Sequence, residues 1–264
     1  MRNPTLAVLL ILAGITASGQ QVTREQLFER GMDAFSGAGP SRNDTEAFDL
    51  FHRSAELGYA PAQVVLGSFY ETGTVTPASP SQAVEWYRKA AEQGDPLGQW
   101  LLGEHYFDGI GTARNLSAAE QWLQPAAEKG NPFAAFVLGR VMEERDYRKA
   151  PAFYRIAAEQ GLPRAQFAYA KALKDGRGIP QNFFESYVWF LVALDGGLAS
   201  ASDQLAELEG GKLSTAEIAG AKRKARELEA SVTRAVAAHG CTGWNGELDE
   251  LPSVPPPQLQ KFCR

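Results

Sequence analysis

Apolar residues recur along this chain at helical spacing, and one arrangement of them returns five times. In the stretch 62–96, Ala62, Leu66, Tyr70 and Gly73 share one side of a helix. Pro77, Ser79 and Pro80 then predict a turn, and Ser81 opens a second helix whose inner face runs Ala83, Trp86, Tyr87, Ala90 and Ala91. Gly94 stops that helix and Pro96 helps to start the next, the usual asymmetry of helix ends. Each module therefore predicts a helical hairpin with one apolar edge.

The other modules keep the same positions. The Leu66-Gly67 pair recurs as Leu102-Gly103 and Leu138-Gly139, weakening to Tyr169-Ala170 and Arg30-Gly31. The turn glycine recurs as Gly37, Gly73, Gly109 and Gly176, and the large second-helix residue as Leu50, Trp86, Trp122, Phe153 and Trp189. Closing glycines Gly58, Gly94, Gly130, Gly161 and Gly197 are spaced 36, 36, 31 and 36 residues apart. A fixed period in this range predicts a stacked array whose modules touch their neighbours, and overrides any domain count read from length. Alanines at the close-packed positions let helices approach while the larger residues opposite fill the remaining space.

The pattern A-x-x-x-L-G-x-x-Y-x-x-G-x-G, followed by A-x-x-W-Y-x-x-A-A-E-x-G, resembles the Sel-like repeat family, relatives of the tetratricopeptide repeats. The likeness covers residues 25–202. It implies an all-α fold, a right-handed α-solenoid of five helical hairpins, and a role as an adaptor for protein partners. Two modules depart from the pattern: the stretch 142–147 replaces the usual turn of the fourth repeat, so that hairpin must be tighter and the groove there different, and Pro125, inside the second helix of the third, is expected to cost that helix a hydrogen bond and bend it. Beyond the repeats, Ser214 and Glu217 form a capping-box signature ahead of a long charged helix. The segment 203–239 is expected to cap the array. The tail 240–264 carries Pro252, Pro255, Pro256 and Pro257 and is expected to be irregular or extended.

In stacked hairpins of this kind the first helix of each module lines the concave face. Counting from the Leu-Gly pair, one groove position reads Phe28, Val64, Trp100, Phe136 and Phe167. A second reads Met32, Ser68, Glu104, Arg140 and Lys171; a third reads Phe35, Glu71, Phe107, Glu143 and Lys174. An apolar stripe flanked by charge that turns from acidic to basic suits a peptide or protein segment as partner. The same aromatics also suit packing against a neighbouring helix.

Composition narrows the function classes. A net charge of −5 provides no basic field for a phosphate backbone, so nucleic-acid partners are not expected. Arg2, the apolar run Leu6–Ile15 and the small residues Ala17, Ser18 and Gly19 read as a cleaved signal peptide, residues 1–19, with no membrane span afterwards. That places the mature chain in a periplasm or outside the cell, as a monomer or part of an envelope complex. Cys241 and Cys263, an even count in an exported chain, are expected to form a disulfide that closes the tail and contributes ~3 kcal/mol. Nucleophile, metal and nucleotide motifs are missing, so no catalytic residue, metal or cofactor is expected. The competing readings are a hydrolase of cell-wall or β-lactam-like substrates and a structural part of an envelope or secretion assembly. Relatives associated with hydrolysis carry cysteine pairs in each repeat, and the repeats here have none.

Overall fold

The structure, a computed structural model, describes residues 22–36 and 43–239, with side chains as far as residue 232. The expected signal segment, Gly37, the proline-rich tail and the Cys241–Cys263 pair lie outside the described residues. Among those described, twelve helices form and no strand.

Two compact units divide the chain, one running to Gly98 and one beginning at Gln99. The first holds α1 (Arg24–Ser36), α2 (Asp44–Glu56), α3 (Ala60–Thr72) and α4 (Pro80–Glu92), each packed on the next. Helix α5 (Pro96–Asp108) begins in the first unit and continues into the second. There follow α6 (Leu116–Glu128), α7 (Pro132–Arg145), α8 (Ala150–Glu159), α9 (Pro163–Asp175) and α10 (Phe183–Asp195). From α6 to α10 every helix packs on its successor, and α10 also carries α11 (Ala201–Glu209) and α12 (Thr215–His239). Consecutive pairing of this kind, without a sheet, is the packing of an α-solenoid.

The periodic A-A-E-x-G line is a helix terminator. All five closing glycines adopt left-handed backbone, with φ between +81° at Gly58 and +91° at Gly197. The residue after each glycine donates its N–H back into the last helical turn: Asp95 to the Ala90 carbonyl at 3.2 Å, Asn131 to Ala126 at 3.0 Å, Leu162 to Ala157 at 3.2 Å. Carbonyls that would otherwise be orphaned at the helix end are thereby satisfied. The chain leaves each second helix in one fixed direction, which is why the line must recur for the hairpins to stack.

The Leu-Gly pair has a different cause. At Gly67 a Cβ would stand 2.5 Å from Cε1 of Tyr87; at Gly103, 2.5 Å from Cγ of Leu123; at Gly139, 2.5 Å from Cε1 of Tyr154. Gly31 meets Phe51 in the same way, at 2.7 Å. Glycine is present because a side chain of the partner helix lies on the bare backbone. The residue that packs there is the one after the large residue singled out by the repeat: Phe51, Tyr87, Leu123 and Tyr154 are buried, whereas Trp86, Trp122 and Phe153 are half-exposed. Ser79, not Ser81, precedes α4, which begins at Pro80.

Among the described residues asparagines cap four helices; Oδ1 of the buried Asn131 accepts from the Ala134 N–H at 2.9 Å. At the start of α12 the reciprocal pair forms as its sequence implies. The Ser214 N–H donates to Glu217 Oε2 at 2.8 Å, and the Glu217 N–H donates to Ser214 Oγ at 3.3 Å. The shortened fourth module takes effect between α7 and α8, where Asp146–Lys149 replaces the longer Gly73–Ser79 type of link.

Candidate functional site: a cationic, aromatic-floored cleft

The accessible apolar stripe expected along the first helices is largely absent. Phe28, Met32 and Phe35 occupy the buried face of α1, and Val64 is buried in α3. Trp100, 1% exposed, stacks on Phe133 at 4.7 Å, and Phe107 is buried on the same helix. These six side chains are core. First helices in the interior of an array are covered on several sides, so residues that look groove-facing in one helix are claimed by the next.

The expected charged positions divide as well. Glu71 accepts the Tyr87 hydroxyl at 2.8 Å, closing its own hairpin, and Glu104 is half-buried on α5. Lys174, whose side chain is 12% exposed, donates to Gln204 Oε1 and Glu207 Oε2, both at 2.7 Å, and so ties α9 to α11. Lys171 pairs with Asp175 on its own helix at 3.3 Å.

Five of the expected residues do converge. Phe136, Arg140, Glu143, Phe167 and Lys171 line a cleft of about 460 Å³ in the second unit, between α7, α8 and α9. Its floor is apolar: Phe136 lies 5.8 Å from Tyr154, and Phe167 packs edge-on against Phe190 at 5.2 Å. Alanines 150, 168 and 172 leave the floor shallow and open. The rim is charged, with Arg140, Arg164, Lys171 and Arg177 facing Glu143 and Asp175. Arg140 is held 4.4 Å over the Phe107 ring and 3.5 Å from Asp108, with its guanidinium at the edge of the cleft.

The shortened link supplies one wall. Tyr147, 48% exposed, stands where the longer turns of other modules would continue, and the Arg177 guanidinium lies 5.7 Å from its ring. The facing turn approaches so closely that a Cβ on Gly178 would meet the Tyr147 carbonyl at 2.5 Å. Arg164, Tyr147 and Arg177 were not among the residues expected from the repeat. For Arg177 a signal existed: it occupies the turn position held by Thr74 and Ile110 in other modules, and only there is that residue charged.

Two buried phenols, Tyr154 at the cleft and Tyr187 on α10, are held in the neutral form. Burial, then the charge of Glu143 and a hydrogen bond to it, push the Tyr154 phenol far above its ordinary range. Burial and the Glu209 carboxylate, which accepts the Tyr187 hydroxyl, push the Tyr187 phenol up in the same way. Both shifts deepen the neutral form, the opposite of what a general base or nucleophile at neutral pH requires.

The model of the Sel1 repeat matches residues 31–59, 60–95, 96–131, 135–162 and 163–198. Among solved structures, the chain is similar to a Sel1 repeat protein from Oxalobacter formigenes, with 27% identity and a TM-score of 0.69. That match covers 85% of this chain and 95% of the other. It is also similar to c5321, a protective antigen of uropathogenic Escherichia coli strains displaying an SLR fold. Identity there is 24%, the TM-score 0.50, and the match covers 88% of this chain and 57% of that one; it bears on fold alone. No curated protein matches.

Proposed function

The chain belongs to the Sel1 repeat family, and from that premise we propose that it is an exported adaptor holding a segment of a partner protein in the cleft between α7, α8 and α9. Sel1 repeats mediate protein–protein interaction, and proteins built from them are typically non-enzymatic scaffolds. The observation that carries the proposal is the meeting of half-exposed Phe136 and Phe167 with a cationic rim, where the aromatics at the same repeat position in earlier modules, Phe28 and Trp100, are buried. Aromatic area supplies affinity and the rim fixes orientation. A cleft of this volume falls within the range that encloses a small group or a short stretch of chain. Export rests on the N-terminal segment, whose charge, short apolar run and small residues suit cleavage before Gln20.

The test is a photo-crosslinking side chain at position 171, with the same group at position 129 as a control away from the cleft, used in the native extract. A discrete adduct from position 171, lost when Phe136→Ala and Phe167→Ala are combined and absent from position 129, supports the proposal. Equal labelling from both positions overturns it. Circular dichroism of the double variant must match the parent, so that a folding defect is not read as a binding defect.

A further inference from the structure

The whole chain carries a net charge of −5, yet the cleft reverses that sign, with four cationic side chains against two carboxylates. Both carboxylates are engaged: Glu143 faces the buried Tyr154 hydroxyl, and Asp175 pairs with Lys171. Two of the cations have no carboxylate partner among the described residues. Arg164, at the start of α9, and Arg177, just past its end, form no ion pair with any described residue. A cationic excess with two guanidiniums that lack a carboxylate, over an apolar floor, is the complement of a carboxylate-bearing ligand. Guanidinium is weakly hydrated, keeps its charge, and matches a carboxylate in two parallel hydrogen bonds. The N-terminus of α9 adds its own partial positive charge at the Arg164 end.

We propose that the cleft selects an extended acidic segment of a partner protein, seating carboxylates on Arg164 and Arg177 and an aromatic or branched apolar side chain between them on Phe136 and Phe167. This rests on the cleft being the binding site. The spacing limits the ligand further. Arg164 and Arg177 bracket α9, and at the helical rise their backbones stand about 15–20 Å apart. An extended strand covers that distance in about five or six residues. The carboxylates of the ligand are therefore separated by roughly that many residues, and the apolar anchor lies midway.

Fluorescence anisotropy with the mature chain and two labelled synthetic peptides tests the proposal. One peptide, of about eight residues, carries glutamates toward both ends and a central phenylalanine; the other replaces each glutamate by glutamine. The acidic peptide is expected to bind about tenfold more tightly at low salt, with the preference shrinking as salt is raised, because rim charges in water are screened. The combined Arg164→Gln and Arg177→Gln variant, altering two exposed side chains, is expected to abolish the preference and leave the circular dichroism unchanged. If both peptides bind equally but lose affinity with Phe136→Ala and Phe167→Ala, the selectivity is refuted while docking in the cleft stands. If neither peptide binds although position 171 still captures a partner, the acidic-segment reading is likewise refuted. The tail, outside the described residues, itself carries Glu247, Asp249 and Glu250 around Leu248, and binding that appears only after these three are replaced by amides makes the chain's own C-terminal stretch the occupant and overturns the proposal.

Discussion

Replacing Gly139 by alanine tests the closeness of α7 and α8 directly. The added Cβ would stand 2.5 Å from Cε1 and 2.6 Å from Cδ1 of Tyr154. Carbon atoms rest at ~3.5–4.0 Å, so the ring must retreat by about 1 Å. It has little room to do so, being 2% exposed and anchored through its hydroxyl beside Glu143. Forcing one extra methyl into a packed interior costs ~1–3 kcal/mol, and a rigid ring lying flat on the backbone belongs at the upper end. Alanine is favoured over glycine in a helix by ~1 kcal/mol, which offsets part of the strain. The expected net effect of Gly139→Ala is a loss of about 2 kcal/mol.

Gly220→Ala supplies the opposite sign. It lies in α12, where the nearest foreign atom to a new Cβ is Phe184 Cε2 at 3.5 Å, an ordinary contact. There the helix preference acts alone and stability is expected to rise, by up to ~1 kcal/mol. Urea unfolding followed by circular dichroism compares the midpoints, and hydrogen exchange across α7 and α8 localises the change, because repeat arrays open module by module. A third measurement decides the cause: with Tyr154→Ala already present, the clash is gone and Gly139→Ala should become neutral or stabilising. If it destabilises equally in both backgrounds, the ring-on-backbone account is wrong. Because Tyr154 also lies beneath Phe136, the single variant should weaken ligand capture in the cleft as well.

Two further outcomes follow from named contacts. The Tyr154 and Tyr187 phenols are raised in the folded chain above the ordinary value of 10.0, so their stabilisation is complete below that pH and lost as pH climbs through and beyond it, where the unfolded chain ionises first. Unfolding midpoints should therefore fall steeply above about pH 10 and fall less steeply once both residues are phenylalanine; identical slopes would contradict this. Asn131→Ala removes a cap whose acceptor is buried, and should lower stability by ~1–2 kcal/mol with exchange rising first at the start of α7. A change spread evenly over the chain would refute the local reading.

Fold and site were legible to different depths for a physical reason. The repeating line encodes contacts within one hairpin and between consecutive helices, such as Gly94 ending α4 and Gly67 receiving Tyr87, and local contacts of that kind leave a fixed spacing in the sequence. Exposure is not local in that sense. Phe28 and Phe167 hold the same register, yet one is buried against Phe51 and Tyr59 and the other floors an open cleft. What separates such positions is which sides of each helix its neighbours cover. Helix α3 is charged only at Glu71 and buries an unbroken run from Ala62 to Phe69, as expected of a helix apolar on all sides. Helix α9 carries Arg164, Lys171, Lys174 and Asp175 and buries only Ala165, Gln166, Tyr169, Ala170 and Leu173, so one side must meet water. A register count treats these two helices as equivalent. A count of charges separates those two but not α1, which carries Arg24, Glu25, Glu29, Arg30 and Asp33 and still buries Phe28, so exposure at this register is set by the helices packed around it.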